Sequence, residues 1–153
     1  MTTARRERYF EDYVEGATHT FGSVPVDEAE VVDFARRYDP QFFHIDAEAA
    51  KGGIYGGLIA SGWHTASMMM SQFAVHYLSD VSSLGSPGLT ELRWIAPVRP
   101  GDILSVRVTT TGTRRSASKP DRGIVQSHVE VLNQDDKVVM DFNATNFIAC
   151  RDV

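Results

Sequence analysis

Gly56 to Leu78 reads GGLIASGWHTASMMMSQFAVHYL, and this stretch decides the fold. From Ser61 to Leu78 it holds no proline, no acid, no lysine and no arginine. It is rich in Ala, Ser and Met, with Met68, Met69 and Met70 in a row, and is apolar nearly all round. A helix without a charged face is a buried one. About 17–18 residues at 1.5 Å each make it roughly 26 Å long, so something must enclose it on several sides. Ser61, Gly62, His64, Thr65, Ser67, Ser71, Gln72 and His76 break the apolar run, which therefore is no membrane span.

The second half of the chain supplies the wrapping. Thr90–Ile95, Ile103–Arg114, Gly123–Asn133 and Lys137–Ala149 are rich in Val, Ile, Thr and Phe, the residues of a pleated surface. Pro97–Gly101, Ser116–Arg122 and the turn Gln134-Asp135-Asp136 separate them. Upstream, Thr18 to Val24 reads as a short strand. Asp27 offers an N-cap, with Glu30 three residues on, for an amphipathic helix to about Tyr38. Pro40 disfavours the helical region at Asp39 and stops it. Asp46 caps a short turn through Ala47–Lys51 that Gly52 and Gly53 end. Helices first and strands later indicate an α+β fold with an antiparallel sheet. A sheet curled around one buried helix is the hot-dog architecture, here expected as a single domain over residues 1–153. Such a sheet leaves an edge open, and pairing across a two-fold axis covers it, so a homodimer is expected, with room for a higher homo-oligomer.

Composition bounds what this domain does. With 153 residues, 42% hydrophobic and 23% charged, the chain can bury a core and is not a disordered segment. A net charge of −5 argues against a nucleic-acid partner. The charge is uneven, however. Arg93 to Arg122 carries seven basic and two acidic residues, and the rest carries eight basic and eighteen acidic. A basic region on an acidic protein suits a small anionic ligand, or simply places Arg on the solvent face of strands. The single cysteine, Cys150, forms no intrachain disulfide and fits a reducing compartment. The opening MTTARRERYFEDYVEG has no apolar stretch behind its arginines, so no secretory signal is read there and a cytoplasmic protein without membrane partners is expected.

Two constellations carry chemistry. In Tyr38-Asp39-Pro40-Gln41-Phe42-Phe43-His44 the proline breaks the helix, so the loop can turn both Asp39 and His44 into one pocket. A carboxylate at a helix C-terminus among aromatic rings should have a raised pKa. His44 needs little adjustment to act near neutrality. Around one water the two form a general acid/base pair, each contributing about 10²–10⁴-fold. The second constellation is Gly56-Gly57 ahead of the buried helix, where an amide such as Gly57 N–H can hold a thioester oxygen. The alternatives are a turn-capping Asp39, a packed His44 and glycines that merely allow close packing. His64 and His76 read as buried, hydrogen-bonded histidines, and His19 and His128 as surface residues. Cys150 reads as inert, and the methionine run as core or as the wall of an acyl site. No third and fourth ligand accompany His44 and Asp46 at metal-site spacing, so no metal is expected.

The stretch YDPQFFHIDAEAAKGGIYGGLIASGWHTASMMM, Tyr38 to Met70, resembles the MaoC-like dehydratase family, the (R)-specific enoyl-CoA hydratases of hot-dog fold. So do LTELRWIAPVRPGDILSV, Leu89 to Val106, and Ser118-Lys119-Pro120-Asp121-Arg122-Gly123. The resemblance implies that Asp39 and His44 match the catalytic pair and that Gly57 matches the glycine holding the thioester oxygen. It also implies a hydroxyl residue on the central helix, which is Thr65 by ungapped counting or else Ser61. The implied reaction is hydration of an enoyl-CoA, or dehydration of a 3-hydroxyacyl-CoA, in fatty-acid metabolism. No cofactor is implied, and the pantetheine arm is expected along a dimer seam. Arg93, Arg114, Arg115, Lys119 and Arg122 are then candidates for the CoA phosphates. Gln41 and Phe42 stand where the family commonly has Asn-Pro, a departure that bears on substrate preference. A hot-dog thioesterase is the first rival. Such enzymes commonly carry an acid on the central helix, and none lies between Ser61 and Leu78. A non-catalytic acyl-CoA-binding module is the second.

Overall fold

The Val- and Thr-rich runs form strands because their side chains alternate between a buried and a wet face. Along Arg122–Leu132, for example, Val125, Ser127, Val129 and Val131 are buried while the residues between them stay partly or fully exposed. A computed structural model describes residues 7–152, and the first six residues of the leader reading lie outside that range. In chain order the elements are β1 (Thr18–Pro25), α1 (Glu28–Tyr38), α2 (Phe42–Ile45), α3 (Ala47–Lys51), α4 (Gly62–His76), β2 (Gly88–Trp94), β3 (Ile103–Arg115), β4 (Arg122–Leu132) and β5 (Val138–Ala149). The strands form one sheet in the order β1-β3-β4-β5-β2, antiparallel throughout. This is the hot-dog arrangement, with α4 as the filling.

The caps sit where the sequence puts them. Asp27 accepts a hydrogen bond from the Glu30 amide at 3.1 Å at the start of α1, and Asp46 accepts one from the Ala49 amide at 3.1 Å at the start of α3. Met68, Met69 and Phe73 turn the inner face of α4 toward Val106, Val108, Val129 and Phe142 of the sheet. Fully burying a side chain of this size stabilises by about 1.5–3 kcal/mol. Just beyond the helix, the Tyr77 hydroxyl meets Thr110 Oγ1 at 2.6 Å and Ser127 Oγ at 2.8 Å, so this polar tip is satisfied within the core.

The central helix is less enclosed than its composition suggests. Trp63, Met70 and Val75 are exposed on its outer side. The sheet covers one face and α1 packs on His64, and among the described residues the rest of the helix stays bare. The histidines also depart from expectation. His64 is buried against Phe34, ring on ring at 4.7 Å, but its Nδ1 has no hydrogen-bond partner among the described residues, and burial holds its pKa below the ordinary value. His76 is exposed, whereas His19 and His128 are half-buried. Cys150 is buried, and burial pushes its thiol up. Among the described residues no helix is long and apolar enough to cross a membrane.

Candidate active site

Asp39 closes α1 as its C-cap, its amide donating to Ala35 O at 2.8 Å. Pro40 then forces the chain out of the helix. The next four residues, Phe42–Ile45, form the single turn α2 that the sequence reading did not foresee, and this turn buries His44. His44 Nδ1 lies 2.8 Å from Ile59 O. A carbonyl can only accept, so Nδ1 carries a proton and Nε2 is the nitrogen left for chemistry. That nitrogen faces Asp39 Oδ2 at 3.3 Å. The proline-interrupted bend thus brings the acid and the imidazole together.

Each carboxylate oxygen of Asp39 has its own donor. Ser61 Oγ donates to Oδ2 at 2.7 Å, and Gln41 Nε2 donates to Oδ1 at 2.7 Å. Ser61 is the N-cap of α4, and its hydroxyl also accepts from the Trp63 amide at 3.3 Å. The carboxylate therefore sits against the positive end of the central helix. This overturns the expected raised pKa. Partial burial pushes Asp39 up, but the bonds from Ser61 and Gln41 and the nearby His44 outweigh it and hold the carboxyl below its ordinary value of 3.8.

A cavity of about 430 Å³ opens beside the pair, lined by Asp39, Gln41, His44, Gly62, Thr65 and Trp94 among others. Phe43, Tyr55, Trp63 and Trp94 put aromatic rings into its wall. Phe43 sets its edge against His44 at 4.5 Å, and Tyr55 sets its edge against Phe43 at 5.5 Å. The Trp94 indole lies on Gly62, where an added Cβ would come within 2.3 Å of the ring, so glycine is required there.

The remaining site residues divide. Between the two hydroxyl candidates, Ser61 is the one bonded to Asp39. Thr65 lines the cavity and donates to Ser61 O at 3.4 Å. Gly57 is not in the cavity wall; its Cα faces the Arg99 guanidinium, which donates to Tyr55 O at 2.6 Å. Of the candidate phosphate ligands, none lines this cavity. Arg93 grips Asp141 on the outer face of the sheet at 3.1 and 2.8 Å, and Arg115 reaches Pro120 O and Asp152 O. Arg114, Lys119 and Arg122 line a second cavity. Gln41 was read from sequence only as a departure from the family's Asn-Pro, and Trp94 and Arg99 were not singled out, since a lone amide, indole or guanidinium carries no spacing signal. Among the described residues no cluster of His, Cys, Asp and Glu can hold a metal ion.

Residues 11–132 match the family described as MaoC like domain. The crystal structure of a MaoC-like dehydratase from Rhodospirillum rubrum superposes with a TM-score of 0.88 at 37% identity, covering 95% of this chain and 99% of that one. An R-hydratase from Pseudomonas aeruginosa, in the unliganded form, superposes with a TM-score of 0.73 at 23% identity, covering 93% of this chain and 85% of that one. Among curated proteins, protein MaoC of Klebsiella aerogenes is 31% identical over 117 residues, which is 73% of this chain but 34% of that protein.

Removing the Ser61 hydroxyl takes away one of the donors that hold Asp39 ionised. In Ser61→Ala the Asp39 carboxyl should titrate at higher pH than in the wild type, followed by carbon-detected NMR of the side chain. Loss of the N-cap should also cost about 0.5–2 kcal/mol of stability by denaturant unfolding. An unmoved Asp39 titration would contradict the role given to Ser61.

Proposed function

The chain belongs to the MaoC-like dehydratase family, and from that premise we propose that it is a hydro-lyase adding water reversibly across the α,β-double bond of an enoyl-CoA. The observation that carries this reading is the 3.3 Å approach of His44 Nε2 to Asp39 Oδ2 at the wall of a cavity lined by polar and apolar residues. Both groups present electron pairs to the same spot, so a water there donates one hydrogen to each. A carboxylate held low is a weak base. His44 Nε2 therefore takes the proton as the water oxygen bonds to the β-carbon. The π electrons move toward the α-carbon and the thioester oxygen, and the imidazolium returns the proton to the α-carbon. Asp39 stays ionised, orients the water and stabilises the imidazolium. The thioester oxygen is held by a backbone amide ahead of or at the start of α4. Gly57 is assigned on the resemblance, and Gly62 lines the cavity. The chemistry draws on no cofactor.

A second copy completes the cavity in this reading. β2 is an edge strand, and Leu89, Trp94 and Ile95 on and beside it are exposed. Trp63 of α4 stands against Trp94 at 5.0 Å and continues into the bare stripe of Met70 and Val75. Pairing two β2 strands about a two-fold axis covers this apolar surface and the open side of the cavity together, and leaves a seam for the pantetheine arm.

Purified protein should remove the conjugated-thioester absorbance of crotonyl-CoA, or of a branched or dicarboxylic enoyl-CoA, without releasing thiol. Thiol release without hydration would make it a thioesterase. Asp39→Asn and His44→Ala should each lower turnover at least about a hundredfold, and near-normal turnover in either removes the dyad. Leu89→Asp puts a charge on the exposed edge. It should convert a dimer into a folded monomer by light scattering and circular dichroism, and a wild type that is itself monomeric would refute the pairing.

A further inference from the structure

Strand β2 carries a fault in its pleat. Leu89 pairs with Ala144 and Trp94 with Met140, and both partners lie in the core. Residues paired across a ladder share a face, so Leu89 and Trp94 both point inward. They are five residues apart, an odd spacing that a regular strand assigns to opposite faces. A bulge between Thr90 and Arg93 absorbs the difference, setting three steps of β2 against the two from Asn143 to Asp141. Glu91 stands in this bulge at φ +54°, the left-handed region that residues other than glycine seldom adopt. The bulge is clamped on either side. Asn143 Nδ2 donates to Glu91 Oε2 at 3.2 Å, with His128 Nδ1 2.9 Å from Asn143 Oδ1, and Arg93 forks onto Asp141 at 3.1 and 2.8 Å.

The bulge leads into the wall of the candidate active site. Without the extra residue Arg93 would face inward and Trp94 outward. With it, the Trp94 indole lies on Gly62 and meets the Trp63 ring edge-on at 5.0 Å. Gly62 and Trp63 are the first two residues of α4, directly after Ser61. The Ser61 hydroxyl accepts from the Trp63 amide and donates to Asp39 Oδ2. Glu91 itself is exposed and does not line the cavity. A strained bulge beside a functional site persists where it re-aims a side chain. We infer that Glu91 is a positioning residue: its left-handed turn sets the register that lays Trp94 on the start of α4, and through Ser61 it holds the Asp39 carboxylate in place. Only the effect on turnover rests on the hydratase reading.

Glu91→Val and Glu91→Gly separate backbone from side chain. Both lose the carboxylate, but a β-branched residue resists a positive φ and glycine accepts it. In Glu91→Val the Asp39 carboxyl should titrate at higher pH than in the wild type by carbon-detected NMR, because Ser61 holds it less well. Its kcat for crotonyl-CoA should fall at least about tenfold. Glu91→Gly should restore both to near the wild-type values. Trp94→Ala leaves the bulge in place and removes the contact with Gly62, so it should raise the Asp39 titration as well. It supplies the same readout if Glu91→Val lacks the wild-type circular dichroism. An Asp39 titration unmoved in Trp94→Ala or in folded Glu91→Val, or moved equally in Glu91→Gly, overturns the proposal. The titration needs no substrate. A protein that hydrates no enoyl-CoA therefore loses the proposed reaction, while the role of Glu91 stands or falls on the titration alone.

Discussion

One hydrogen bond, from the Ser61 hydroxyl to Asp39 Oδ2 at 2.7 Å, joins the end of α1 to the start of α4. The central helix is fixed by the sheet that wraps it, and Ser61 transmits that position to the carboxylate. Ile59, two residues before Ser61, does the same for the imidazole through its carbonyl. Both functional side chains are therefore referenced to one three-residue segment rather than to each other. A site built on a rigid element keeps its geometry better than one built on a loop alone. The proline bend at Asp39-Pro40 supplies freedom of direction, and the segment from Ile59 to Ser61 removes it again.

The same segment sets the hydrogen bonding of both groups. The helix start and two neutral donors keep Asp39 ionised, while the Ile59 carbonyl fixes the histidine tautomer.

Much of the fold was legible in the sequence because it follows from patterns of composition. The uncharged run after Ser61, the β-branched segments and the Asp27 and Asp46 caps each fall within a few residues of the observed elements. The approach of Asp39 to His44 was legible from the helix break at Pro40. Three features were not. The single turn at Phe42–Ile45 is too short to show a period. The bare stripe of Trp63, Met70 and Val75 looks like a core face, because apolar composition does not reveal how many sides of a helix the sheet covers. The low pKa of Asp39 depends on donors brought in from Gln41 and from Ser61, twenty-two positions away, whereas local reasoning saw only the negative end of α1. The basic region of the second half also splits once folded. Arg93 and Arg107 are spent on Asp141 and Glu130 across the outer sheet, while Arg114 and Lys119 are left facing a cavity.

The central claim is that Asp39 and His44 act as a unit on one water molecule. Turnover of crotonyl-CoA by Asp39→Asn, His44→Ala and the double variant measures this directly, because groups serving one step are strongly non-additive. The account predicts a double variant within about tenfold of the slower single variant. A double variant slowed by the product of the two single effects would show two independent groups and contradict it.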